Sequence, residues 1–268
     1  VLSVLDPNKL LMDLTQADLQ LFVTAKRSQI ANGTINRHLQ FLGRAVRHMA
    51  ETYGAEIPSL NFKKALTKEP GERIRELSLD EQKRLFKELR SDLHAFAQFA
   101  LLTGARRATI ASLRWSDVDF TTKRIFFRLK GGLKMHFPMN TELQEFLLSL
   151  PRSELPEHTD YVLTYLDTAT KHRKRIISNG GGLAQDWADA VKRAKIPDFR
   201  FHDLRHTFAT RLLRQTGNLK LVSRLLGHTT IDTTARYAHV LDEDLEQALE
   251  RFSPLSNRQS RSKSRSKT

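Results

Sequence analysis

Cysteine is missing altogether from the 268 residues. Its absence excludes disulfides, cysteine-ligated zinc, iron–sulfur clusters and a thiol nucleophile. It is consistent with a reducing cytoplasm, where the chain is expected to work. Long apolar runs are missing too. The longest, around Phe99–Leu102, falls far short of the ~20 residues that a bilayer-spanning helix needs. No basic, then apolar, leader opens the chain. It starts Val1-Leu2-Ser3-Val4 with no Met, which reads as a start inside a longer protein. Acidic residues are in deficit, with 30 Asp and Glu against 44 Lys and Arg.

What is present is a globular composition: 40% apolar residues, enough for a core, and 28% charged. The length suits one large domain or two modest ones. The net charge of +14 argues for a polyanionic partner, nucleic acid or an acidic membrane surface, although a surplus kept for solubility would also be basic. The tail Ser256–Thr268 carries five Lys and Arg and no acid, yet the rest of the chain keeps +9 without it.

Most of the chain reads as helix. Thr15-Gln-Ala-Asp18 is a capping box that opens a helix to about Lys26. A longer helix runs from Asn32 to about Thr52, with Leu39, Leu42, Val46 and Met49 on one side. Arg37, Arg44, Arg47 and His48 gather on the other. A solvated charged face and a phosphate-tracking face both fit this stripe, which is nearly free of acid. Gly54–Arg75 mixes Pro58, Pro70 and Gly71 with Lys63, Lys64, Lys68, Arg73 and Arg75, and is expected to be an exposed basic linker at a domain boundary. Ser78-Leu-Asp-Glu81 is a second capping box, opening helices that reach Thr103. Arg124–Leu129 and Met135–Pro138 flank Gly131-Gly132 as a short hairpin. Helices are expected at about 140–149, 182–195, 202–215, 219–226, 232–238 and 242–251.

Three clusters carry candidate chemistry. Leu102-Thr-Gly-Ala-Arg106 ends an apolar helix, and alone it is an ordinary glycine C-cap followed by a cation. His202-Asp-Leu-Arg205-His206 opens an amphipathic helix; its i, i+3 spacing lets His202 and Arg205 converge on one anion, or simply form surface contacts. His206 is placed on a different face and read as an ordinary surface histidine. In the third cluster, Leu226-Gly-His228 is followed nine residues later by Tyr237 on a short helix. A tyrosine there is ordinarily a packing residue, but a phenol is also a nucleophile when its proton has an acceptor. Together these residues suit displacement at a phosphodiester. Two arginines neutralise the nonbridging oxygens, a Lys or His protonates the leaving 5′ oxygen, and a protein nucleophile needs no metal. No HExxH occurs, and Gly180-Gly-Gly182 lacks the remainder of a P-loop, so no cofactor is expected.

In this order (Thr-Gly-Ala-Arg106, Lys130, His202-xx-Arg205, Leu-Gly-His228, Tyr237), the segment from about Ser78 to Phe252 resembles the tyrosine recombinases of the phage-integrase family. Lys130 stands eight residues before Pro138, as a lysine precedes a "VPL"-like strand in the family's β-hairpin; Lys134 is a nearby decoy. The weaker match of Thr15–Tyr53, with Thr34-Ile-Asn36-Arg37, is to the family's helical core-site-binding domain. The resemblance implies that Tyr237 attacks the scissile phosphate to give a 3′-phosphotyrosyl link. Arg106 and Arg205 would hold the phosphate, His202 and His228 would assist, and Lys130 would protonate the leaving oxygen. It also implies double-stranded DNA as partner, a homotetramer on DNA, a Holliday junction, and a C-terminal helix at 242–251 docking on a neighbouring subunit. One departure is Thr109, where the family carries an acidic buttress three positions after the first Arg.

The fold expected is mainly α with a small β-sheet. A helical core-site DNA-binding domain at 1–70, truncated at its N-terminus, is expected to be joined by a linker at 71–77 to a catalytic domain at 78–254. A disordered basic tail at 255–268 completes the chain. Arg37, Arg44, Arg47, Lys63 and Lys64 are the candidate DNA contacts of the first domain. The expected function is site-specific recombination for a phage or other mobile element. A catalytically silent DNA-binding relative and a type IB topoisomerase-like enzyme are the alternatives, and retention of all six candidate catalytic residues argues against the silent one.

Overall fold

The computed structural model describes Val4 and residues 8–56, 58–71, 73–128, 132, 134–178, 182–238 and 240. The chain divides into two compact units, Val1–Glu72 and Arg73–Thr268. Expectations for Lys130, the helix at 242–251 and the tail fall outside the described residues.

The first unit is built on α1 (Gln16–Lys26), α2 (Asn32–Tyr53) and the one-turn α3 (Phe62–Ala65). Thr15 caps α1 through the reciprocal bonds of its capping box with Asp18. One stripe of α2 supplies Ile35, Leu39 and Val46; the first two pack with Leu19, Phe22 and Val23 of α1. The segment expected to be an exposed linker is instead folded into this unit. Leu60, Phe62 and Ala65 pack on its core, and the Thr67 amide donates to Asn36 Oδ1 at 2.8 Å. The prolines and lysines that suggested a linker lie between apolar anchors, and a four-residue helix has too few turns to print a period in the sequence.

Residues 73–77, also expected to be linker, are held in the second unit. Arg73 Nη2 donates to Asp203 Oδ2 at 2.9 Å, and the amide of the buried Leu77 donates to Thr207 Oγ1 at 2.9 Å. The helices α4 (Leu79–Glu88), α5 (Ser91–Thr103) and α6 (Arg107–Ala111) follow. The α5 helix is apolar around most of its surface, as its burial inside the unit requires, and packs against α9 (Asp203–Thr216). A three-stranded antiparallel sheet of β1 (Val118–Asp119), β2 (Arg124–Arg128) and β3 (Lys134–Pro138) lies beside it. Ile125 and Phe127 point into the core, and Arg128 stands opposite Lys134. The expected hairpin is β2–β3; the two-residue β1 was not anticipated.

The remaining elements are α7 (Thr141–Leu148), the β4 (Thr164–Leu166) and β5 (Arg173–Arg175) pair, α8 (Leu183–Arg193), α10 (Leu219–Leu226) and α11 (Asp232–Ala235). The last is shorter than the expected 232–238 and ends two residues before Tyr237, which sits in the turn that follows. The fold is thus mainly helical with small sheets, as expected.

Candidate active site

The site begins where α5 stops. Gly104 takes a left-handed conformation, φ +62, that any side chain would strain. A Cβ there would also lie 2.4 Å from Phe208 Cδ1 and 2.9 Å from Leu226 Cδ2. The turn delivers Arg106 as the N-cap of α6 in extended conformation, with its side chain exposed. Thr109 lies half-buried in α6, three positions on. Among the described residues, no hydrogen bond or ion pair engages the Arg106 guanidinium.

The second arginine comes from the first turn of α9. Buried Asp203 fixes the start of that helix by accepting from Arg200 N at 2.7 Å and from Arg73. Arg205 is buried, and its guanidinium joins three chain segments. Its Nη1 donates to Gly104 O, while its Nη2 donates to Leu226 O and to His228 Nε2, all at 2.8 Å. Burial, then the charge of Arg106, lowers its pKa to about 10, so it stays cationic at neutral pH. Five N–H groups belong to a guanidinium, and these bonds leave part of the fork free for a further acceptor among the described residues.

An arginine cannot accept a hydrogen bond, so His228 Nε2 must be the acceptor from Arg205. Its Nδ1 then carries the proton and donates to Thr234 Oγ1 at 2.7 Å. The ring is therefore neutral, in keeping with a pKa pushed down to about 4 by burial and by Arg205, Arg106 and Arg236. His202 keeps an exposed edge, yet its pKa is also near 4. Partial desolvation is the main cause there, with His206, Arg205 and Arg106 adding to it.

Tyr237 is 2% exposed, its ring packed with Ala209, Leu213, Val222 and Leu226. Its hydroxyl lies 2.8 Å from His206 Nδ1. The packing reading of this tyrosine is thus correct for its ring, and the hydroxyl nevertheless belongs to the polar cluster. Arg205 senses both Tyr237 and Arg106 electrostatically, so Arg106, His202, Arg205, His228 and Tyr237 gather at one place. Lys130 lies outside the described residues, in the connection between β2 and β3; Lys134 opens β3 and is exposed.

His206 corrects the sequence reading. An i, i+4 pair shares a helix face, so His202 and His206 stand side by side with ring centroids 5.2 Å apart. That spacing was the signal available in the sequence. Thr234, which orients His228, offered none.

In the first unit, Arg37, Arg44, Arg47, Lys63 and Lys64 are all exposed. Arg44, Arg47 and Lys63 share one surface hollow with Gln40, Gly43, Phe62 and Leu66; Arg37 and Lys64 do not line it. Among the described residues, no helix is long and apolar enough to cross a membrane, and no group of acidic residues and histidines is gathered that could hold a metal.

Residues 75–244 match the phage integrase family, and the chain belongs to that family of tyrosine recombinases. It is 31% identical over 182 residues to the integrase of Salmonella phage P22, spanning 65% of this chain and 46% of that protein. It is 33% identical over 150 residues to the tyrosine recombinase XerC of Staphylococcus saprophyticus, spanning 53% of this chain and 47% of that one. The chain thus spans about half the length of these curated relatives. Among solved structures, residues 75–356 of lambda integrase, a dimer bound to a COC′ core site, share the fold with a TM-score of 0.69 at 19% identity. That likeness covers 88% of this chain and 83% of the other.

Proposed function

We propose that this chain is a site-specific recombinase that cuts and rejoins double-stranded DNA through a 3′-phosphotyrosyl intermediate. Tyr237 Oη attacks the scissile phosphorus and the bond to the 5′ oxygen breaks. Arg106 and Arg205 neutralise the charge that builds on the nonbridging oxygens. His202 presents its exposed edge to the phosphate, His228 holds the Arg205 fork in register, and Lys130 gives a proton to the departing 5′ oxygen. The bond energy stays in the phosphotyrosine, so rejoining needs no ATP. The first unit binds the core site through the basic hollow of Arg44, Arg47 and Lys63, with Arg37 and Lys64 beside it. The assembly is a homotetramer that passes through a Holliday junction. Its work is integration or excision of a phage or other mobile element, a reading supported by the P22 integrase among its relatives.

The observation that carries this reading is the convergence of an exposed Arg106, a buried and cationic Arg205 and the Tyr237 hydroxyl. The test is incubation, without metal or ATP, with a pool of nicked duplexes drawn from candidate attachment sites, followed by SDS gel analysis. An SDS-stable adduct mapping to Tyr237, absent from Tyr237→Phe although that variant still binds DNA, is the expected outcome. An adduct formed by Tyr237→Phe would overturn the assignment of the nucleophile.

A further inference from the structure

We propose that His206 is the group that accepts the Tyr237 proton during strand cleavage, a role that rests on reading Tyr237 as the nucleophile. The geometry singles it out among the three imidazoles of the site that belong to the described residues. His228 has both ring nitrogens committed, to Arg205 and to Thr234. His202 meets the cluster ring against ring with His206, and no hydrogen bond joins it to the phenol among the described residues. His206 Nδ1 is 2.8 Å from the phenolic oxygen, within the reach that proton transfer demands. Both groups are buried, so bulk water does not compete for the proton.

The step balances. In the tautomer with its proton on Nε2, His206 receives the hydroxyl proton at Nδ1 as Tyr237 Oη bonds to phosphorus. The bond from phosphorus to the 5′ oxygen breaks, and that oxygen takes its proton from Lys130. On rejoining, the 5′ hydroxyl returns a proton to Lys130 and attacks phosphorus, while Tyr237 leaves and recovers its proton from His206. Transfer from phenol to imidazole keeps the charge of the pair at zero until Oη bonds to phosphorus, and the negative charge that develops on Oη meanwhile is favoured by the Arg205 cation. His206 directly follows Arg205 in α9, so the base and the phosphate clamp ride on one helical turn. Among the described residues, His202 and Tyr237 contact His206 directly, and Arg205, Asp203 and Arg106 act electrostatically on its neighbour His202.

The test compares the parent with His206→Ala and His206→Asn on one nicked duplex, reading the single-turnover rate of adduct formation from pH 5 to 9. Asn is chosen because its amide oxygen can hold the phenol where Nδ1 does but cannot take a proton. Both variants should slow by about 100-fold or more and lose the rising acid limb of the profile, while DNA affinity stays close to the parent's; His206→Asn, which keeps an acceptor for the buried phenol, should melt closer to the parent than His206→Ala. Replacing Tyr237 with a fluorinated tyrosine, whose phenol ionises more readily, should recover roughly tenfold or more of the rate lost in either variant. A defect of packing alone would not respond to phenol acidity. Cleavage by His206→Asn within about threefold of the parent overturns the proposal, and so does a fluorinated nucleophile that recovers nothing. If even the parent forms no adduct, the functional reading falls and this role falls with it. If the parent cleaves and the variants keep pace, this role alone is lost.

Discussion

At the scale of single residues, the site stores positive charge around neutral imidazoles. His202 and His228 both ionise near pH 4 in the folded protein, against 6.5 when unperturbed. Between these values the unfolded chain binds protons that the folded one does not. Their contribution to stability is therefore complete above pH 6.5 and is lost as pH falls toward 4. Two carboxylates titrate elsewhere. Asp18, hydrogen-bonded by Lys9 and Thr15, and Asp167, hydrogen-bonded by Lys174, have pKa values near 2, so their contributions are lost between about 3.8 and 2. Urea midpoints should accordingly fall in two separate pH windows, and His228→Gln should make the upper fall shallower, leaving the share of His202, without moving the lower. An unchanged upper slope in His228→Gln would locate that stability elsewhere. Residue identity was legible where chemistry forces a type at a spacing, as in His202-xx-Arg205 and Tyr237. It was not legible for Arg205's two backbone acceptors, Gly104 O and Leu226 O, because any residue presents a carbonyl.

At the scale of elements, the turn after α5 does two jobs. Gly104 ends the helix in a conformation suited to glycine, and its carbonyl receives Arg205. Gly104→Ala combines a left-handed alanine with collision against Phe208 and Leu226. Together these should cost about 2–4 kcal/mol. The same substitution should slow the proposed cleavage, because any backbone shift that relieves the clash displaces the carbonyl that receives Arg205. A denaturant midpoint within error of the parent's would contradict the packing described. Elements with caps and two or more turns could be read from the sequence: the capping boxes at Thr15 and Ser78 open α1 and α4 where expected. The missed elements are short. The strand Arg173–Arg175 has the sequence Arg-Lys-Arg, with no apolar alternation, and is held by pairing with Thr164–Leu166. The five-residue α6 and four-residue α3 likewise owe their shape to what they pack on.

At the scale of the whole molecule, with double-stranded DNA as the proposed partner, the charge of +14 predicts an affinity that depends on ionic strength. The logarithm of the binding constant should fall linearly with that of salt concentration. Replacing Arg44, Arg47 and Lys63 together by Ala should reduce the slope by about 3 if each neutralises one phosphate. A slope unchanged in the triple variant would remove that hollow from the DNA-contacting surface. The residues chosen from the sequence for this surface were all exposed. Which of them share a hollow was hidden, because it depends on where α3 folds back onto α2 through the contact of Phe62 with Gly43.

The burial of Tyr237 carries a consequence for how activity can change by mutation. On the proposed reading one side chain does both jobs: the Tyr237 hydroxyl reacts beside His206 while its ring helps close the hydrophobic cluster of Ala209, Leu213, Val222 and Leu226. If Tyr237 is the nucleophile, the restraint on stray nicking lies in apolar packing as well as in polar chemistry. On that reading, selection for a more eager enzyme would find its gains in loosened neighbours such as Leu213 or Val222, and each gain would carry a lower melting temperature. Fidelity and thermal stability in this corner of the protein would then be one property, seen from two sides.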